Sequence, residues 1–160
     1  FEKSSADFKM VRIDELLVEA YQNATLIRPN GVFELNFNNM PEDENQLKIW
    51  GNEQLLAISF SNLIDNGSKF SENQKVTIGL YCDHQNIYVE FKDQGIGIHN
   101  ADIDKIFQPF YRGQNSQYIA GYGIGLALTK KIVELHGGHL SVSSILAKGS
   151  VFKISFPFVV

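Results

Sequence analysis

Cysteine is nearly absent. Cys82 stands alone in 160 residues, so no intrachain disulfide can form. A secreted disulfide scaffold and a cysteine-built zinc site are both excluded. Long apolar runs are also missing. None approaches the roughly 20 residues that span a bilayer, and no charged-then-apolar leader opens the chain. Excess positive charge is missing too: 14 basic and 18 acidic residues leave a net charge of -4. Such a chain has no basic footprint for duplex DNA or RNA, so nucleic acid is excluded as a partner. No internal repeat and no low-complexity segment is visible. The chain starts at Phe1 rather than Met and is expected to be a piece of a longer protein. Whatever anchors or regulates that parent is expected to lie outside it.

What is present is the material of a folded domain. Apolar residues make up 44%, aromatics 12% and charged residues 20%. This profile supports a real hydrophobic core and rules out disorder over the whole chain. The length suits one compact domain, or one domain with a short tail.

Hydrophobic periodicity lays out the elements. Residues 1–8 (FEKSSADF) are polar and read as the end of a linker. Val11 and Ile13 form a short extended piece. Asp14 is placed to cap a helix bearing Leu16, Leu17, Ala20, Ala24 and Ile27 at helical spacing. Pro29-Asn30-Gly31 stops it. Phe33, Leu35 and Phe37 alternate as a half-buried strand over 32–38, a turn covers 39–45, and Leu47 and Ile49 mark a second strand ending near Trp50. Residues 53–70 read as the main helix, with Leu56, Phe60, Leu63, Ile64 and Gly67 on one stripe. Asn62, Asn66, Lys69 and Phe70 lie on the neighbouring stripe. Two strands follow, carrying Val76, Ile78, Leu80 and then Ile87, Val89, Phe91. A glycine-rich stretch runs from 93 to 123. The next helix spans about 124 to 135, with Ile124, Leu128, Ile132 and Leu135 turned inward and His136-Gly137-Gly138 as its stop. Two last strands carry Leu140, Val142 and then Phe152, Ile154, Phe156. This order predicts a two-layer α/β sandwich: a mixed, largely antiparallel sheet covered on one face by about three helices. It argues against a doubly wound sheet.

The glycines invite a phosphate reading, which the common patterns do not support. GxxxxGK[ST] is absent, and no GxGxxG follows a first strand. Asp93-Gln94-Gly95-Ile96-Gly97 comes straight off a strand. It reads as an ordinary β-turn, or as a turn that aims a carboxylate at an exocyclic amine such as adenine's. Gly121-Tyr122-Gly123-Ile124-Gly125-Leu126 opens a helix, so its amides either face an anion or form a hinge. Asn62 and Asn66 sit one turn apart. An amide oxygen is a suitable hard ligand for Mg²⁺ beside phosphates and water, although surface asparagines on a helix are common. Lys69 could meet a phosphate and Phe70 could lie against a base, or each could be a solvated charge and a core filler.

Taken together, NLIDNGSKF (62–70), DQGIGI (93–98), IFQPFYRG (106–113), GYGIGLAL (121–128) and GSVF (149–152) resemble the ATP-binding catalytic domain of sensor histidine kinases. That domain belongs to the superfamily with the Bergerat fold, shared with type II topoisomerase, heat-shock and mismatch-repair ATPases. The resemblance covers about residues 9–158, with 1–8 as the end of a linker from an absent dimerisation domain. It implies ATP and Mg²⁺ as cofactors. Asn66 resembles the metal-ligating asparagine and Asn62 the residue one turn earlier. Lys69 and Phe70 resemble positions near the phosphates and base. Asp93 resembles the adenine-reading aspartate, with Gly95 and Gly97 giving the close turn that ends at Ile98. Phe107, Pro109, Phe110, Tyr111 and Arg112 match the segment opening a mobile lid over the nucleotide. Gly121, Tyr122, Gly123, Ile124, Gly125 and Leu126 match the lid's glycine box. Gly149 and Ser150 match the last box, near the adenine.

Some positions depart from the family's pattern. Gly67 stands where alanine is usual, at a helix cost of about 1 kcal/mol. Ala120 and Tyr122 replace smaller residues, and Ser150 replaces threonine. None removes a required chemical group.

One position separates kinase from hydrolase. The superfamily's ATP hydrolases resemble one another in a glutamate one turn before the metal asparagine, a base for water. This chain has Asn62 there, and an amide is no base. Phosphoryl transfer to an imidazole needs less help, since neutral histidine is already a nucleophile. Asn62, Asn66, Lys69 and Arg112 are then the expected catalytic set, with Lys69 and Arg112 neutralising charge. The resemblance implies an acceptor histidine in a separate dimerisation domain of a dimeric parent, this piece being a monomer. It implies a response regulator receiver domain downstream and a cytoplasmic location. None of His84, His99, His136 and His139 fits the acceptor's setting early in a helix. Related readings are a regulatory ATP-binding module or a protein-serine kinase. The FQPFYR segment favours the histidine-kinase branch.

Overall fold

The computed structural model describes residues 7–71, 75–109, 111 and 125–158. Alternation along the strands is the main organiser. In β4 (Lys75–Cys82), Val76, Ile78 and Leu80 are buried and their neighbours are not. In β5 (Asn86–Asp93) the buried set is Ile87, Val89, Phe91 and Asp93. In β7 (Gly149–Pro157) it includes Ser150, Phe152, Ile154 and Phe156. These faces form one apolar floor. With β2 (Val32–Phe37) and β6 (His139–Ile145), they make a five-stranded sheet in the order β2-β4-β5-β7-β6. Only β2 and β4 run parallel; the other three pairings are antiparallel. The mixed, largely antiparallel sheet is therefore as expected. A separate two-stranded ribbon pairs β1 (Lys9–Arg12) with β3 (Lys48–Gly51).

Three helices cover the floor: α1 (Ile13–Ile27), α2 (Glu53–Lys69) and α3 (Gly125–Leu135). The α2 stripe holds as read, since Leu56, Phe60, Leu63, Ile64 and Gly67 are all buried. Phe60 lies 6.0 Å from Phe91, joining α2 to the sheet. Asn52 caps α2 through its side chain, which accepts from Leu55 N–H at 3.0 Å.

Four local expectations are corrected. Asp14 does not cap α1. The helix starts at Ile13, with Arg12 in the cap position, and Asp14 instead takes the Arg12 guanidinium at 2.5 Å. Ile27 is 77% exposed rather than part of the core. The turn expected at 39–45 ends in a 3-10 helix (Glu44–Leu47), where Asp43 accepts from Asn45 N–H, so Leu47, expected in the strand, is buried in that helix instead. In α3, Leu135 is 45% exposed, and the inward stripe is Thr129, Ile132 and Val133 with Ala127.

That stripe continues one turn on, to His136. Its Nδ1 lies 2.7 Å from the Ile132 carbonyl, and its Nε2 accepts from Asn52 N–H at 3.0 Å. The His136 ring stacks on Phe8, centroids 5.2 Å apart, so the last residue of the expected linker packs on the domain.

Candidate active site

The same alternation that buries Ile87, Val89 and Phe91 turns Asp93 onto the helix-covered face. There it meets α2 at Gly67. A Cβ on Gly67 would lie 3.0 Å from Val76 Cγ2 and 3.6 Å from Asp93 Cβ. A side chain here would need Val76 to give by a few tenths of an ångström, so α2 packs closely on this end of the sheet. Asp93 is 6% exposed. Burial pushes its carboxyl up, while the Gly95 and Ser150 amides partly restore the charged form. The Gly95 N–H donates to Oδ1 at 2.9 Å. The result is a buried, oriented acceptor.

The loop after Asp93 is clamped from two sides. Ile96 N–H donates to the Phe70 carbonyl at 2.9 Å, so the loop lies against the end of α2. The contact excludes a side chain at Gly95, whose Cβ would sit 1.6 Å from that carbonyl oxygen. On the other side, Ala147 N–H donates to the Ile96 carbonyl at 2.8 Å. Gly97 there adopts φ +72°, and a Cβ would meet the Ile145 carbonyl at 2.4 Å.

Ser144 is a site residue that sequence reasoning missed. Its hydroxyl accepts from Ile98 N–H at 2.8 Å and donates to the Gly149 carbonyl at 2.9 Å. It also lies 2.8 Å from the Ser150 hydroxyl. One side chain ties the aspartate loop to the last box. The available signal was alternation, since Leu140, Val142 and Ser144 share a face of β6. A serine near a turn reads more readily as solvated.

α2 and α3 supply the opposite wall. Asn62 is half-buried; its Nδ2 lies 3.5 Å from Thr129 Oγ1, and Gly125 packs beside it. Asn66 is half-buried one turn further on. Lys69 forms an ion pair with Asp65 at 3.1 Å, and Phe70 is the C-cap of α2. Leu126 packs against the core. Phe107 meets Phe152 edge-on at 6.4 Å, and Lys130 stands 5.4 Å over its ring. Pro109 is exposed, and the Tyr111 hydroxyl donates to buried Asp102. The structure therefore brings together Asn62, Gly67, Asp93, Gly95, Gly97, Ile98, Gly125, Gly149 and Ser150 through contacts with their neighbours. Phe110, Arg112, Gly121, Tyr122, Gly123 and Ile124 lie outside the described residues, and so does most of the expected lid.

Residues 51–160 match the family described as histidine kinase-, DNA gyrase B-, and HSP90-like ATPase. The chain belongs to this family. Among curated relatives, it is 38% identical over 136 residues to the signal transduction histidine-protein kinase ArlS of Staphylococcus epidermidis. That alignment covers 82% of this chain and 28% of the relative. It is 31% identical over 125 residues to the sensor histidine kinase WalK of Bacillus subtilis, covering 75% of this chain and 20% of WalK. The chain thus spans about a quarter of the length of these relatives. Among solved structures, the mycobacterial sensor histidine kinase MprB superposes with a TM-score of 0.78 at 25% identity. The superposition covers 94% of this chain and 97% of that one. The fold is that of a histidine-kinase catalytic domain, as the five sequence boxes imply.

In this family member, Asp93→Asn is expected to weaken adenine-nucleotide binding. The amide would present N–H₂ where an amine needs an acceptor, a buried mismatch of about 1–3 kcal/mol. Calorimetry should show a dissociation constant raised roughly 5- to 150-fold. An unchanged constant in a folded variant would rule out Asp93 as the amine's acceptor.

Proposed function

We propose that this chain is the ATP-binding catalytic unit of a two-component sensor kinase, passing the γ-phosphoryl group of Mg-ATP to a histidine on a separate dimerisation domain. The observation that carries this reading is the pairing of buried Asp93 with an amide, Asn62, at the position where a hydrolase would need a base. Asp93 accepts from the base's amine. Asn66 offers an oxygen to a divalent ion. The donor chemistry fits that ion: an amide oxygen is a hard ligand, and half-buried Asn66 would leave most of the coordination to phosphates and water. When bound, Mg²⁺ supplies charge neutralisation at the transferring phosphoryl group.

The residues of this chain do the positioning. Asn62 presents an amide beside Gly125 and Thr129, so nothing at that point takes a proton from water. Lys69 and Arg112 supply positive charge toward the phosphates. Among the chain's own histidines, His136 has both ring nitrogens engaged with Ile132 and Asn52, which supports an acceptor on another domain. A response regulator as the next recipient, a dimeric parent and a cytoplasmic location belong to the same reading. No helix among the described residues is long and apolar enough to cross a membrane.

Incubating the chain with radiolabelled ATP and its parent's dimerisation domain tests the proposal. Acid-labile phosphate on the acceptor domain is the expected result. ATP binding without any transfer would refute it. Asn62→Glu gives a second check. It installs a carboxylate but no aligned water, so steady-state ATP hydrolysis should rise only slightly. A hydrolysis rate typical of a dedicated ATPase, on the order of 1 s⁻¹ or more, would mean that this residue alone separates the two chemistries.

A further inference from the structure

The ammonium of Lys69 is already engaged. Asp65, one turn back on α2, takes it through Oδ2 at 3.1 Å. The other carboxylate oxygen, Oδ1, accepts from the guanidinium of Arg28, which reaches across from the C-cap of α1. One carboxylate therefore serves two cations from two helices. Burial alone would push the Asp65 carboxyl up, but the bonds from Arg28 and Lys69 hold it below the usual carboxylate range. It is charged at neutral pH. Asp65 lies three residues after Asn62, four before Lys69 and next to Asn66 on α2, so this negative charge stands among the expected phosphate and metal ligands.

We propose that Asp65 is a positioning residue that restrains Lys69 from the nucleotide phosphates, and that Arg28 moderates this restraint by occupying the other carboxylate oxygen. The proposal rests on the reading of Lys69 as a phosphate ligand. A lysine ammonium is a compact charge on a flexible stem, so it can exchange one anion for another. Phosphate and Asp65 compete for it. Removing the carboxylate frees Lys69; removing Arg28 leaves Asp65 with Lys69 alone and strengthens its hold. The two changes act in opposite directions on phosphate affinity. The Asp65 and Lys69 side chains are partly exposed, 43% and 34%, so each effect is modest.

Calorimetric titration of Mg-ATP at low salt, with adenosine as the phosphate-free control, separates the outcomes. Asp65→Asn should tighten Mg-ATP binding roughly 2- to 5-fold, and Arg28→Gln should weaken it by a similar factor. Lys69→Met should weaken it, and in that background Asp65→Asn should change nothing. Adenosine should bind all variants alike, and circular dichroism should confirm each fold. If Asp65→Asn tightens binding equally without Lys69, the effect is through-space repulsion and the proposal is overturned. If Lys69→Met weakens binding but Asp65→Asn brings no gain, the restraint is overturned while Lys69 stays a phosphate ligand. If Lys69→Met leaves affinity unchanged, the reading of Lys69 fails and the restraint fails with it.

Discussion

Asn66→Ala is expected to abolish magnesium-dependent nucleotide binding while leaving the domain folded. Asn66 is half-buried and lies off the α2 stripe of Leu56, Phe60, Leu63, Ile64 and Gly67. Alanine is also the better helix former, so the helix itself gains a few tenths of a kcal/mol, roughly. What disappears is one oxygen. Mg²⁺ demands near-octahedral oxygen geometry and takes few protein ligands when phosphates and water supply the rest. No cluster of acidic or histidine side chains among the described residues stands in reserve. Titration with ATP, with and without Mg²⁺, should show the metal's contribution vanish, and phosphotransfer should vanish with it. A folded variant that transfers phosphate at the parental rate would move the metal site elsewhere.

Gly95→Ala should be more damaging, by a different route. The new Cβ would lie 1.6 Å from the Phe70 carbonyl oxygen and 2.4 Å from its carbon. Both belong to backbone, so no rotamer change relieves the overlap. The loop must retreat from the end of α2, breaking the Ile96 N–H bond to Phe70. It then carries away the Gly95 amide that orients Asp93. Overpacking of this kind costs about 1–3 kcal/mol, occasionally more. In a domain of this size, roughly 2–4 °C of Tm is lost per kcal/mol. A lowered thermal midpoint together with loss of adenine-nucleotide binding is expected. Parental binding in Gly95→Ala would show that the loop has slack the contact distances do not allow.

Much of this was legible in the sequence, and the reason is periodicity. Alternation in β4, β5 and β7 and the stripe of α2 are carried by large apolar residues whose burial dominates their placement. Extending the β5 alternation by one step puts Asp93 on the buried face, so its burial was readable with the strand. Features carried by small or polar residues were less legible. Thr129, Val133 and His136 define the inward face of α3, but a threonine and a histidine hid the stripe, and Leu135 drew the reading round the helix. Ser144 closes the loop through two hydrogen bonds to backbone; alternation along β6 gives its face, but not its partner in a distant segment. The ion pair of Asp65 with Lys69 spans i,i+4 on α2. Arg28 joins it from 37 residues away, so only the packing of α1 on α2 shows the cluster.

In the proposed function, the buried carboxylate at the end of β5 selects adenine nucleotides for a magnesium-dependent site. Calorimetric titration of the chain with ATP and with GTP, both in Mg²⁺, tests it most directly. Guanine presents a carbonyl where adenine presents its amine, so GTP sets an acceptor against Asp93, a penalty of about 1–3 kcal/mol. The account predicts saturable ATP binding at one site and GTP binding at least about tenfold weaker. Equal affinity for the two nucleotides would contradict it.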